Sequence, residues 1–251
     1  MLSAKRKSDG QTVTAYLESK SNGPFHCLEC NEEVILKTGR VCVTHFAHAN
    51  PIACKFQTGE TDVHRRCKME IYEALQREPA VRKAALERSL ETVRPDVSAY
   101  INDVPVAIEV QISDLPLESI IYRTREYERK GIYVLWLLPW TRKLDAKRYS
   151  PRLWEKWVHA TYFVPAYYWV KGLTVASYHF DSNFKSVPKR SWHSAKGEKL
   201  TGGGYSRRSR RYRTTVRGLS FNLVKDFVPT QRTCWQGNDF DAKMDDTKDR
   251  F

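Results

Sequence analysis

Apolar residues recur at helical spacing between residues 60 and 77. Val63, Cys67, Ile71, Ala74 and Leu75 share one face, and Pro79 stops the pattern. Three β-like runs follow at 86–93, 97–101 and 104–112, with Asn102-Asp103 as a tight hairpin turn between the last two. A second helix is predicted over 116–129. Leu117, Ile120, Ile121 and Tyr127 lie on one face, Pro116 sits near the first turn, and Gly131 closes the helix. Ile132-Tyr-Val-Leu-Trp-Leu-Leu138 then reads as a strand buried on both sides. The core thus runs α-β-β-β-α-β, an α/β order. Further on, 153–159 reads as a helix and 162–180 as a hairpin turning at Lys171-Gly172. Upstream, an N-terminal strand precedes a short hairpin of 34–37 and 41–44 about Thr38-Gly39.

These elements divide the chain into an N-terminal Cys/His module (1–56), a core (57–181) and a basic, partly flexible segment (182–251), with no internal repeat. Charge sets the last segment apart. Between Lys185 and Arg217 there are eleven Lys/Arg and one acid, Glu198, with the glycine run Gly202, Gly203 and Gly204 among them. The densest part is Ser206-Arg-Arg-Ser-Arg-Arg-Tyr-Arg213, whereas 238–251 holds five Asp and reads as a solvated tail. With 42 Lys+Arg against 29 Asp+Glu, the chain points to a polyanion partner, most often nucleic acid. Its 251 residues and 30 aromatics exclude a mostly disordered chain. The longest apolar runs, 132–140 and 162–170, each contain Pro and fall short of the roughly 20 residues a helical bilayer crossing needs. Met1-Leu-Ser-Ala-Lys-Arg-Lys7 lacks the apolar centre of a signal peptide, which predicts a cytoplasmic address. Cys27, Cys30, Cys42, Cys54, Cys67 and Cys234 then read as thiols or metal ligands rather than disulfides.

Cys27-Leu-Glu-Cys30 has the spacing of a metal-binding knuckle, and the hairpin after it delivers His45-Phe-Ala-His48 and Cys54 back towards it. A structural Zn²⁺ site needs four N/S ligands in a tetrahedron. Cys27, Cys30, His48 and Cys54 are the favoured four, with His45 as the substitute. Cys42, within the hairpin, reads as a small buried apolar group. A metal-free Cys/His hairpin is the plainer alternative.

Arg94-Pro-Asp96-Val and Ala107-Ile-Glu109-Val-Gln111 form the second chemical signal. Glu109 and Gln111 are two apart on a strand and project from one face. Pairing with the strand that Asp96 opens brings both carboxylates to one cation, and such hard ligands suit Mg²⁺ or Mn²⁺ on a phosphate substrate. A turn aspartate and an edge glutamate are the alternative. Against it, an ionised Glu109 amid Val106, Ala107, Ile108, Val110 and Ile112 is costly unless paired or metal-bound. On the first helix Glu60 and His64 are four apart on the inward side, with Lys68 one turn on in reach of a phosphate. A capping glutamate and a half-buried histidine would read the same way. Arg123 and Tyr127 are also four apart, on the second helix.

The ordered set Cys27-x2-Cys30, His45-Phe-Ala-His48, Glu60-x3-His64-x3-Lys68, Arg94-Pro-Asp96-Val, Ala107-Ile-Glu109-Val-Gln111 and Arg123-x3-Tyr127 resembles the competence-protein CoiA-like family over roughly residues 25–180. That family belongs to the PD-(D/E)xK nuclease superfamily, so the resemblance implies a restriction-endonuclease-like αβββαβ core behind an N-terminal zinc-binding β-hairpin module. It implies a Mg²⁺-dependent deoxyribonuclease in which Asp96 and Glu109 hold the metal and Gln111 takes the place of the superfamily lysine. Glu60 completes the metal site, Glu87 is a lesser candidate, and His64 and Lys68 orient phosphate. Arg123, Arg207, Arg208, Arg210 and Arg211 are the expected DNA contacts. The rival expectation is a nucleic-acid-binding accessory protein with the same fold and no turnover, because the amide of Gln111 offers only dipoles where a lysine offers a full charge.

Overall fold

The computed structural model describes residues 1–39, 42–50, 54, 60–162 and 165–230. Val41 of the expected hairpin, Cys234 and the acidic tail lie outside the described residues. The chain forms two units. One comprises Met1–Pro139, Tyr167–Ala176 and the described residues from Ser220 on; the other comprises Trp140–Ala166 and Ser177–Leu219.

The first unit begins with five short antiparallel strands, β1 (Ser3–Arg6), β2 (Thr12–Thr14), β3 (Phe25–His26), β4 (Glu33–Lys37) and β5 (His45–His48), ordered β2-β1-β3-β4-β5. Period-two alternation in β4 sends Val34 and Leu36 inward onto Ala4, Phe25 and Phe46. The hairpin partner of β4 is 45–48 rather than 41–44, with Lys37 paired to His45. Residues 42–44 therefore lie in the connection, and Cys42 is exposed rather than a buried apolar group.

The larger sheet carries the expected order of elements. It starts with α1 (Asp62–Gln76), β6 (Val81–Leu86), β7 (Val97–Ile101) and β8 (Val104–Val110), followed by α2 (Leu117–Arg129) and β9 (Tyr133–Pro139). β6, β7 and β8 pair antiparallel, and β8 pairs parallel with β9. Asn102 and Asp103 both have positive φ, the geometry of a tight primed turn. α1 buries Cys67, Ile71 and Leu75 in one core with Val106, Ile108 and Val110 of β8. Ala107 instead packs with Tyr127 of α2. The two faces of β8 thus serve two helices.

Some details differ from the pattern. Val63 is exposed in the first turn of α1. The strand expected at 86–93 is β6, ending at Leu86. After it the backbone leaves the ladder, with Glu87 and Glu91 at positive φ. β6 is the last strand of its sheet and is bulged between Arg82 and Ala85, with Lys83 at φ 52°.

Downstream come α3 (Leu153–Thr161), β10 (Ala166–Lys171), β11 (Thr174–Val187), β12 (Arg190–His193), β13 (Lys199–Gly202) and β14 (Tyr205–Asn222). The large sheet runs β14-β11-β10-β9-β8-β7-β6, and β11 and β14 contribute residues to both units. Gly172, at positive φ, makes the expected turn. The boundary expected at 181/182 falls inside β11, and the Arg-rich run is strand because β11 lies beside it. In the second unit His159 of α3 stacks on Phe180 and accepts its backbone N–H. No helix among the described residues is long and apolar enough to cross a membrane.

Candidate active site and metal centre

Two successive turns of α1 present His64 and Lys68 to the end of β7. Thr61 caps the helix by accepting the His64 N–H at 3.3 Å, which fixes the first turn and leaves Glu60 just outside it. His64 Nε2 lies 3.1 Å from Asp96 Oδ2 and Nδ1 lies 3.6 Å from Glu60 Oε1. Asp96 directly precedes β7, and its Oδ2 accepts the Val110 N–H at 2.8 Å. Glu60, His64 and Asp96 each offer a ligand atom within 4.8 Å of the others, two carboxylates and an imidazole that together fit a divalent cation.

Lys68 was expected to meet phosphate. It is instead 2% exposed, with its ammonium held by Glu60, by Glu87 Oε1 at 2.5 Å and by Asp96 Oδ1 at 3.5 Å. Burial works against that charge, but Glu87, Asp96 and Glu60 outweigh it and keep the lysine above its ordinary pKa. Burial likewise opposes ionisation of Asp96 and Glu87. His64 and Lys68 hold the Asp96 carboxyl, and Lys68 and Arg94 the Glu87 carboxyl, well below the usual carboxylate range. Glu87, the lesser candidate, is the most heavily bonded of these acids. Its Oε2 accepts from Leu2 N, Ser3 N and Arg94 Nη2 at 2.9, 3.1 and 2.7 Å. Those partners are distant in sequence, and only Arg94, within the Arg-Pro-Asp motif, gave a local sign of them.

Glu109 sits on the α2 side of β8. One residue beyond the Val97–Ile108 pair, the β7–β8 register sets Asp96 opposite it. Its Oε1 accepts from Tyr127 Oη at 2.5 Å and pairs with Arg123, whose guanidinium also reaches the Arg94 carbonyl and lies over the Trp136 ring. Arg123, an expected DNA contact, is committed to this buried pair, while Glu109 Oε2 is buried without a hydrogen bond. Burial pushes the Glu109 carboxyl up to about 7; Asp96 adds to the rise and Arg123 opposes it. Gln111, just past β8, is buried, and its Nε2 donates to Ser113 O at 2.7 Å.

The raised value has a thermodynamic sign. Folded protein holds a proton on Glu109 that an unfolded glutamate releases above about 4.5, so this group's contribution to stability is lost as pH rises towards 7. Asp96 and Glu87, held low, act oppositely, and their stabilisation is lost only as pH falls below the ordinary carboxylate range. Metal-free protein should lose on the order of 2–3 kcal/mol from Glu109 between about pH 5 and pH 8. Glu109→Gln should lack that loss. Urea melts of both proteins at the two pH values measure it, and parallel profiles would show that Glu109 titrates normally.

In the N-terminal module, Cys27, Cys30, His48 and Cys54 offer ligand atoms within 4.8 Å of one another. Cys27 and Cys54 Sγ are 4.0 Å apart and Cys30 Sγ is 3.3 Å from His48 Nε2. A tetrahedral zinc–thiolate site has sulfurs about 3.8 Å apart, so the donors fit a soft or borderline divalent ion. Burial raises the Cys30 thiol to about 11 and lowers His48, so metal binding here would release thiol protons. His45, the substitute, bonds the Val43 carbonyl and stands outside the four. Arg207, Arg208, Arg210 and Arg211 lie on β14 in the other unit, all exposed.

Comparison with known proteins identifies the family. A family model described as "Competence protein CoiA, nuclease-like domain" matches residues 60–162, from Glu60 to the end of α3. A second, "Competence protein CoiA, N-terminal domain", matches residues 8–57. The chain is 29% identical over 121 residues, 47% of its length, to the competence protein CoiA of Bacillus subtilis (strain 168); the match spans 32% of that protein. No solved structure matches. With both modules matched in order, the chain belongs to the competence protein CoiA-like family.

Proposed function

We propose that the first unit is a metal-dependent phosphodiester hydrolase acting on DNA, built on a restriction-endonuclease-like core with a structural zinc module at its N-terminal side. The observation that carries this reading is the convergence of Glu60, His64 and Asp96, with the buried Glu109 carboxyl outside that set but near enough to Asp96 to feel its charge. Mg²⁺ or Mn²⁺ bound there would lower the pKa of water and neutralise charge developing on phosphorus. Asp96 and Glu60, kept ionised by Lys68, would hold the cation together with Glu109, and His64 would fix the Asp96 carboxylate. Lys68 acts as an internal counter-ion that keeps closely spaced acids charged. Gln111 positions water or a phosphate oxygen with its amide. Family membership supports the nuclease reading through the nuclease-like domain match.

One observation favours a second reading, a DNA-binding protein without turnover. The Lys68 ammonium already occupies the space between Glu60, Glu87 and Asp96. A cleavage assay on single- and double-stranded DNA with Mg²⁺, Mn²⁺ or EDTA decides between them. Metal-dependent cleavage supports the hydrolase; none on any DNA leaves the binding protein.

In either reading the exposed arginines of β14 supply affinity. Neutralising Arg207, Arg208, Arg210 and Arg211 together should weaken binding about uniformly across sequences. The slope of log K against log salt should flatten by roughly 0.9 for each duplex phosphate that is no longer neutralised. Titrations at several salt concentrations read this directly, and an unchanged slope would show that these arginines do not touch the backbone.

A further inference from the structure

Residues 184–211, within the second unit, contain nine Lys/Arg and one acid. They form the distal ends of β11 and β14, joined at Gly204 N to Val187 O (2.8 Å), with the antiparallel hairpin of β12 and β13 between them. Nearly every side chain here is open to solvent. A two-stranded ribbon without a covered face gains little from its own packing, and such cationic ribbons are suited to a polyanion.

Charge alone does not account for the aromatic residues. Phe184, Trp192 and Tyr205 are 62%, 51% and 55% exposed among these basic residues. Trp192 is also built into place. A Cβ at Gly202 would lie 2.9 Å from its Cη2 and 3.2 Å from Cζ3, so the indole rests against a position only glycine leaves clear. Gly203, at φ 87°, fixes the following corner, because a Cβ there would meet the Pro188 carbonyl oxygen at 2.1 Å. Gly202 thus leaves room for one side of a large ring against the ribbon, and half of the ring's surface faces solvent.

We propose that this ribbon is a binding arm for unpaired nucleotides, in which a base stacks on the open side of Trp192 and the guanidinium groups of Arg207, Arg210 and Arg211 hold phosphates. Every base has a π-face, so a supported aromatic ring among cations binds a single strand with little sequence preference. A duplex keeps its bases stacked on each other and offers this ring none. The arm deepens the nucleic-acid reading above and rests on it for the class of ligand, but it concerns binding rather than cleavage.

Fluorescence anisotropy with the full chain tests it, using a labelled oligothymidylate, an abasic oligomer of equal length and a blunt hairpin duplex. The parent protein should bind oligothymidylate roughly tenfold more tightly than the abasic strand, a comparison that needs no variant. Trp192→Ala should weaken oligothymidylate binding roughly tenfold and leave the other two within about twofold. Gly202→Val should reproduce that loss by displacing the ring, and Trp192→Phe should keep most of the affinity. Equal affinity of the parent for thymidylate and abasic strands overturns the proposal, as does a loss shared by all three probes. The outcome is separable from the hydrolase reading. Cleavage with thymidylate binding indifferent to Trp192 removes the arm alone, whereas Trp192-dependent binding without cleavage removes the hydrolase alone.

Discussion

Asp96→Asn is expected to reduce metal-dependent DNA cleavage by roughly 10³-fold or more, because a lost anionic ligand takes with it several kcal/mol of transition-state stabilisation. DNA binding should survive or tighten, since the change removes a negative charge near phosphate. Glu109→Gln should behave alike in cleavage, although its amide can still accept from Tyr127 and Arg123 and so preserve the local packing. Gln111→Ala should lose activity by removing the amide from its place beside Ser113. Gln111→Lys, which supplies the lysine that the proposed PD-(D/E)xK reading puts here, should retain measurable cleavage. Initial rates with Mg²⁺ and with Mn²⁺ measure all four. Undiminished cleavage by the Asp96→Asn protein would place the activity at another site or in a contaminant.

The second large effect is on folding. Freshly purified protein should contain one zinc per chain by elemental analysis, and Cys27→Ser or Cys30→Ser should unfold the N-terminal module or leave it insoluble. Among the described residues the module buries few large side chains, chiefly Phe25, Val34, Leu36 and Phe46. A core that small rarely holds without a staple, and structural zinc supplies apparent binding energies of about 10 kcal/mol or more in comparable modules. Protein that contains no zinc and melts cooperatively at the same temperature with and without chelator would rule out a structural metal.

The order from α1 to β9 was legible because each element carried its own signal: a periodic face, a primed-turn dipeptide, or Pro and Gly at helix ends. β6 was misplaced because Arg82-Lys-Ala-Ala-Leu86 has neither the alternation nor the apolar run that marks a strand; its ladder partners in β7 determine it. Glu109 announced itself as a charge needing compensation, and the i, i+4 pair Arg123 and Tyr127 provides it. The burial of Lys68 was not legible, because it depends on Glu87, nineteen positions away, at a positive φ that no pattern marks. For the same reason the Arg-rich run gave no strand signal: β14 is strand through its neighbour β11, and its own residues read as solvated charge.

The bulged end of β6 bears on how the protein behaves at high concentration. A sheet seven strands wide offers its neighbours a row of unsatisfied amides wherever an outer strand is straight and flat. At β6 that row is interrupted. The register shifts between Arg82 and Ala85, Lys83 adopts a left-handed backbone, and Lys83 and the Arg82–Asp103 ion pair face solvent. A second molecule approaching this border would find no continuous ladder to extend, and a lysine and an ion pair to desolvate. The broad sheet that holds the carboxylates in register is thereby kept from growing into a fibre along that side.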